Sequence, residues 1–129
     1  MEGDKKEIKV EDCYMSAGNI VINNYNNIDF IGTPYLVHAE VTGQGAISGI
    51  KYGHAWIEDN VLVYDYSNGR TLEIPKDLYY AIGNIKTSNP KKYRKYTFLE
   101  AKRKMGKTGN YGCWDLDVQF EDGGQIINN

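Results

Sequence analysis

The stretch that most constrains this chain is Tyr52–Tyr66, which reads YGHAWIEDNVLVYDY. Two runs of β-favouring residues flank Asp59-Asn60, and Asp and Asn tolerate the positive φ that a two-residue hairpin turn demands. A turn there sets Glu58 opposite Val61, Ile57 opposite Leu62, Trp56 opposite Val63 and Ala55 opposite Tyr64. The next rung places His54 directly opposite Asp65. Directly opposed residues hold their Cβ atoms roughly 4.5–5.5 Å apart, close enough for an imidazole N–H to reach a carboxylate. The sequence therefore predicts a His54–Asp65 pair on one face of a hairpin.

The flanking chain supplies an α+β body for that hairpin. Glu11-Asp12 precedes CYMSAGNIVINN, where Cys13, Ala17, Ile20 and Val21 recur at helical spacing and predict an inward face. Asp12 is the expected N-cap, its carboxylate accepting from first-turn N–H groups. Gly18 costs the helix about 1 kcal/mol relative to Ala and permits close packing. Asn23–Asn27 ends the helix. Residues 35–41, YLVHAEV, alternate as a strand, followed by a turn at Thr42–Gly45. Ala46–Glu58 reads as a second strand, Val61–Tyr66 as a third and Thr71–Ile74 as a short fourth, giving an antiparallel meander. Pro75 suits the first turn of a short helix, Lys76–Ile82, closed by Gly83. Thr97-x-x-Glu100 has capping-box spacing and predicts a helix over Phe98–Met105 with Gly106 as its stop. The segment TGNYGCWDL then returns Trp114 and Leu116 to the core. With 129 residues and no internal repeat, the chain reads as a single domain, residues 1–9 and 121–129 being flexible ends.

A cysteine in the first turn of a buried helix is a familiar place for a thiolate, because the helix N-terminus stabilises negative charge. Cys13 as nucleophile, His54 as base and Asp65 as the group that orients the ring supply the three roles of a thiol triad. The backbone N–H of Cys13 is one candidate oxyanion donor and Gln44, in a glycine-rich turn, the second. Trp56, flanking the histidine, would shield the site from water. Each residue also has a plainer reading. Small cysteines are often buried for packing alone, Trp56 is a natural core aromatic, and Asp65 has Arg70 as an alternative partner.

The order of a helix-borne Cys, a strand-borne His in a His-Ala-Trp run and an Asp on the following strand resembles the transglutaminase and papain-like cysteine peptidase superfamily. GHAWIEDNVLVYDYSNG is similar to the His-Ala-Trp-hydrophobic-Glu strand of transglutaminase-like proteins and the strand ending in aspartate after it. CYMSAGN and KTGNYGCWDL resemble small phage and mobile-element proteins that share this core. The resemblance covers mainly residues 11–67. It implies a papain/transglutaminase-like core, with Cys13 as nucleophile, His54 as base and Asp65 as orienter. The chain departs from the pattern in having Glu11-Asp12 where a glycine usually precedes the nucleophile. Two carboxylates beside a thiol oppose its ionisation.

Other chemistries leave weaker traces. Between Lys86 and Lys107 nine Lys or Arg residues stand against one acid, Glu100, although the net charge of the whole chain is only −2. Lys91 and Arg94 are the candidate contacts there for an anionic small molecule. The competing reading is a solvated face that complements the acidic remainder. No recognition motif points to nucleic acid. Cys13, His38, His54 and Asp65 could ligate zinc, but no CxxC or HExxH spacing accompanies them. Gly43-Gln44-Gly45 lacks the following helix and third glycine of a phosphate loop. No cofactor is called for. No apolar run approaches the roughly 20 residues that cross a bilayer. MEGDKKEIKV lacks a signal peptide's apolar segment, so the expectation is a cytoplasmic protein with reduced Cys13 and Cys113 and no membrane partner.

Two functions follow. One is a cysteine-dependent hydrolase or acyltransferase acting on an amide or ester of a peptide, protein or small molecule. The other is a catalytically degenerate binding module, phage-encoded, that captures a host defence protein or an anionic nucleotide-like signal. A purely structural or assembly role is the third reading. Substrate identity and oligomeric state lie beyond the sequence.

Overall fold

A computed structural model describes residues 12–45 and 48–119. The expectations for residues 1–9 and 121–129 fall outside that range. Helix α1 (Cys13–Asn23) is followed by strands β1 (Tyr35–Thr42), β2 (Lys51–Glu58), β3 (Leu62–Asp65) and β4 (Leu72–Pro75). Helix α2 (Lys76–Ile82), strand β5 (Tyr93–Thr97) and helix α3 (Phe98–Thr108) complete the described chain. The strands form one antiparallel five-stranded sheet in the order β4-β3-β2-β1-β5. The fold is α+β, with the cysteine-bearing helix against the sheet. Among the described residues no helix is long and apolar enough to cross a membrane.

Strand alternation divides the core into two layers. On one face Leu36, Ala55, Ile57 and Tyr64 pack with Cys13, Tyr14, Ala17, Ile20 and Val21 of α1 and with Ala101 and Met105 of α3. On the other, Val37, Ala39, Val41, Trp56 and Val63 pack with Ile85 and the half-buried Tyr79 and Tyr80 of α2. The predicted stripe on α1 is thus the buried one, and the Tyr111 ring lies directly against Gly18.

The hairpin turn differs from expectation. Neither Asp59 nor Asn60 adopts positive φ. Instead the Asp59 carboxylate makes the turn itself, accepting from the N–H groups of Val61 and Leu62, both at 2.9 Å. It also accepts from the Ile31 N–H at 2.7 Å and from the Tyr64 hydroxyl at 2.5 Å. This longer turn pairs Ile57 with Tyr64 and Glu58 with Val63, two residues out of the expected register. A slip of two preserves the face of every side chain, whereas a slip of one would invert them. His54 and Asp65 consequently still share a face, meeting along the diagonal instead of directly across.

Further differences have local causes. The second strand begins at Lys51 rather than Ala46, because Gly43 N–H donates to the Ile50 carbonyl and Gly49 N–H to the Gly43 carbonyl in a wide turn. Asp12 makes no side-chain cap; its carboxylate accepts instead from Asn68 N–H at 2.6 Å, across 56 residues. β5 lies inside the basic segment that reads as loop and helix face. Its pairing with β1 is a long-range contact that the local pattern does not carry. The capping box at Thr97 and Glu100 forms as expected, but α3 runs through Gly106 to a left-handed Gly109.

Gly53, next to the histidine, sits where no side chain fits. A Cβ there would lie 2.6 Å from both the Tyr14 hydroxyl and Val118 Cγ2. Gly53→Ala should therefore destabilise the fold by ~1–3 kcal/mol, as overpacking of a rigid neighbourhood does. The midpoint of urea unfolding at unchanged slope measures it.

Candidate active site

His54 stands on β2, and its Nε2 lies 2.9 Å from Asp65 Oδ2. The same oxygen accepts from the Tyr79 hydroxyl at 2.8 Å and from Arg70 Nη2 at 3.3 Å. Oδ1 accepts from the Ser67 hydroxyl at 2.7 Å and the Ser67 N–H at 3.2 Å. The Asp65 side chain is 2% exposed. Burial alone would raise its pKa, but the bonds and charges of His54, Ser67 and Arg70 hold it well below the ordinary carboxylate range. An ionised carboxylate only accepts, so His54 Nε2 carries the proton of this contact. In the neutral ring Nδ1 is then the bare nitrogen, the tautomer a general base needs. Nδ1 is fully enclosed and has no hydrogen-bond partner.

Tyr79 is the residue that local sequence reasoning misses. It comes from α2, 14 positions after Asp65. Burial and the neighbouring carboxylate push its phenol well above the ordinary range, so it remains a donor. Ser67, at the second position after Asp65, carries a readable signal, since a hydroxyl there suits a local side-chain turn. It opens a single 3-10 turn, Ser67–Gly69, with Asn68 at φ 55°. Arg70 Nη2 also donates to Ser67 Oγ at 2.9 Å, which braces that turn against the carboxylate.

Cys13 is the first residue of α1 and is 2% exposed. It packs in the α1-side core with Ala55, the residue after His54. The bond from Asn68 to Asp12 ties the opening of α1 to the turn just beyond Asp65. The β2–β3 ladder pairs only residues 57 with 64 and 58 with 63, so the two strands are not laddered beside His54 and Asp65. The structure thus forms the expected dyad and brings the start of α1 to the same end of the hairpin. The thiol is not hydrogen-bonded to the imidazole, whose Nδ1 is unpartnered.

The expected substrate contacts fare differently. Gln44, the expected second oxyanion donor, lines the cavity beside His54, and its Nε2 donates to the carbonyls of Ile82 at 2.9 Å and Thr42 at 3.2 Å. Trp56 is a core residue, 1% exposed, whose indole N–H donates to Glu58 Oε1 at 3.0 Å. Arg94 reaches Asp115 at 4.0 Å, and Lys104 reaches the same carboxylate at 3.0 Å. Lys92 pairs with Glu40 at 3.6 Å and Lys95 with Glu58 at 3.3 Å. Much of the basic segment is therefore matched by acids. Lys91 is exposed at its edge, fixed through its backbone to Asn89 and Asp117.

His38, by sequence a candidate zinc ligand, sits on the α1 side of β1 and is fully buried. Its ring is boxed by Tyr14, Tyr96 and Trp114 at centroid distances of 4.9, 5.3 and 4.8 Å. Neither of its nitrogens has a partner. It does not meet His54, which lies on the opposite face of the sheet with Trp56. Among the described residues no group of three or more His, Cys, Asp or Glu side chains is placed to hold a metal ion. No family model, curated protein or solved structure matches the chain.

Burial lowers the His38 pKa to about 3, with Asp115 opposing weakly. The unfolded chain takes up this proton below about pH 6.5 and the folded chain does not. The stabilisation is therefore complete above pH 6.5 and is lost as pH falls toward 3. By pH 4.5 the loss should amount to ~2–3 kcal/mol. Replacing His38 by Phe should flatten the stability profile between pH 6.5 and 4.5, measured by urea unfolding across that range.

Proposed function

We propose that this chain is a cysteine-dependent hydrolase or acyltransferase with a papain/transglutaminase-like core, acting on an amide or ester bond. The observation that carries this reading is His54: one ring nitrogen is fixed by a buried carboxylate, and the other is enclosed without a partner. A ring held by an ionised carboxylate, with its second nitrogen bare, is the arrangement that a general base uses. Cys13, the first residue of α1, is the thiol that the base would serve. It lies in the α1-side layer with Ala55 while His54 faces the α2 side, so the thiol must reach the ring past the edge where the β2–β3 ladder has ended.

In this mechanism the Cys13 thiol gives its proton to His54 Nδ1, and the thiolate attacks the substrate carbonyl carbon. The tetrahedral intermediate collapses as the imidazolium returns that proton to the departing amine or alcohol, leaving a thioester on Cys13. Water or a second amine then attacks the thioester with His54 again as base, which releases the acid or the transferred acyl product. Asp65 stays ionised throughout, holding the ring's tautomer and stabilising the imidazolium. Tyr79, Ser67 and Arg70 are positioning residues that act through Asp65.

The test needs no substrate. Iodoacetamide labelling at pH 7, followed by peptide mass spectrometry, should modify Cys13 before Cys113, whose thiol burial pushes up. An unassisted thiol is only a few per cent thiolate at that pH, so His54→Ala should slow Cys13 labelling by roughly ten- to thirtyfold. Asp65→Asn should slow it in the same direction with the fold intact by circular dichroism. Equal rates at the two cysteines, or a Cys13 rate indifferent to His54, would sink the enzyme reading.

A further inference from the structure

On the α2 side of the sheet a cavity of about 190 Å³ opens beside the dyad. Cys13 is not part of its wall. Val41, Leu72, Ile74 and Ile85 make it apolar, and His54, Tyr79 and Arg70 supply its polar end. We propose that this cavity binds a small monocarboxylate with an apolar body of six to eight heavy atoms, the carboxylate meeting Arg70 at the mouth. This goes beyond the hydrolase reading and stands whether or not Cys13 reacts.

Size sets the apolar body. A hydrocarbon-lined cavity of about 150 Å³ accommodates benzene, so this one takes a ring with a short chain or a branched aliphatic group. An apolar wall of this kind gives nothing back to a ligand of many polar groups.

Charge sets the other end. Two full charges line the cavity, Asp65 and Arg70. Asp65 already accepts five hydrogen bonds from His54, Tyr79, Arg70 and Ser67, so it has little left to offer a ligand. Arg70 is half exposed. Its bonds to Asp65 and Ser67 run through Nε and Nη2, so Nη1 is the donor that an anion at the mouth would meet. A single guanidinium edge suits a monoanion, whereas a phosphate dianion calls for several converging donors.

The wall is also built in advance. Gln44 bonds the β1–β2 loop to the end of α2 through the Ile82 carbonyl at 2.9 Å. Tyr79 ties α2 to Asp65 from the inside. A cavity whose wall is braced by such bonds loses little entropy when it is filled.

The experiment titrates phenylacetate into the isotopically labelled protein at neutral pH and follows methyl resonances. Shifts should appear at Val41, Leu72, Ile74 and Ile85 and not at Val21 in the opposite layer. Phenylacetamide and acetate should each bind at least tenfold more weakly, one lacking the charge and the other the apolar body. Arg70→Gln should weaken phenylacetate roughly ten- to hundredfold, the usual worth of a charged hydrogen bond. Leu72→Trp fills the cavity and should abolish the shifts, with Ile74→Phe as the second filling variant should the first not fold. Cys13→Ala should bind as the parent does, which separates this inference from the fate of the thiol. Silent cavity methyls at millimolar phenylacetate, equal binding of phenylacetamide, or indifference to Arg70→Gln would overturn it.

Discussion

An ionised carboxylate with 2% of its side chain exposed must be surrounded by donors. Asp65 draws its donors from β2, from the turn after β3, and from α2. Three separately placed pieces of chain are thereby held to one pair of oxygens. Removing one partner leaves the buried carboxylate short of a donor, which typically costs about 1–3 kcal/mol. The same set of bonds gives His54 a fixed ring and a fixed tautomer. The stability of this corner and the fixed tautomer of its histidine are one arrangement.

Around that corner the sheet works as a partition. β2 alternates Ala55 and Ile57 toward α1 with His54 and Trp56 toward α2. The two histidines of the chain fall on opposite sides, with opposite surroundings. His38 has no donor or acceptor within reach and is sealed by aromatic rings, so it is kept neutral by burial. His54 is held by a carboxylate beside a cavity. Two identical side chains on neighbouring strands are thus made into a packing element and a chemical group by face alone.

What the sequence discloses follows the range of the interaction. Period-two alternation encodes both the partnership of His54 with Asp65 and its face, although the Asp59 turn is longer than a two-residue hairpin. The register moves by two residues, and the pleat keeps every face through an even slip. The cap at Thr97 and the stop at Gly83 were legible because they are local chemistry. β5 was not, because a strand whose apolar content is two tyrosines amid lysines gains its identity only from β1. Asp12 differs from its local pattern for a similar reason: an N-cap is the local use of such a residue, and a partner 56 positions away takes its carboxylate instead. Tyr79 and the cavity required α2 to be placed against the sheet, which no spacing within the chain encodes.

The hairpin carries two further buried acids, and comparison with them separates structure from function. Asp59 accepts from three backbone N–H groups and the Tyr64 hydroxyl, and every one of those donors is fully used in closing the turn. Glu58 accepts from the Trp56 indole and the Tyr80 hydroxyl, with Lys95 and Lys76 at 3.3 and 3.7 Å. Tyr80 in turn bonds the half-buried Tyr93. Asp65 alone leads through its donor to a further atom with nothing bonded to it, the Nδ1 of His54. An enclosed nitrogen without a partner costs about 1–3 kcal/mol, and His38 bears that cost among aromatic rings. What sets His54 apart is the combination: its bare nitrogen belongs to a ring fixed by a buried carboxylate beside a cavity.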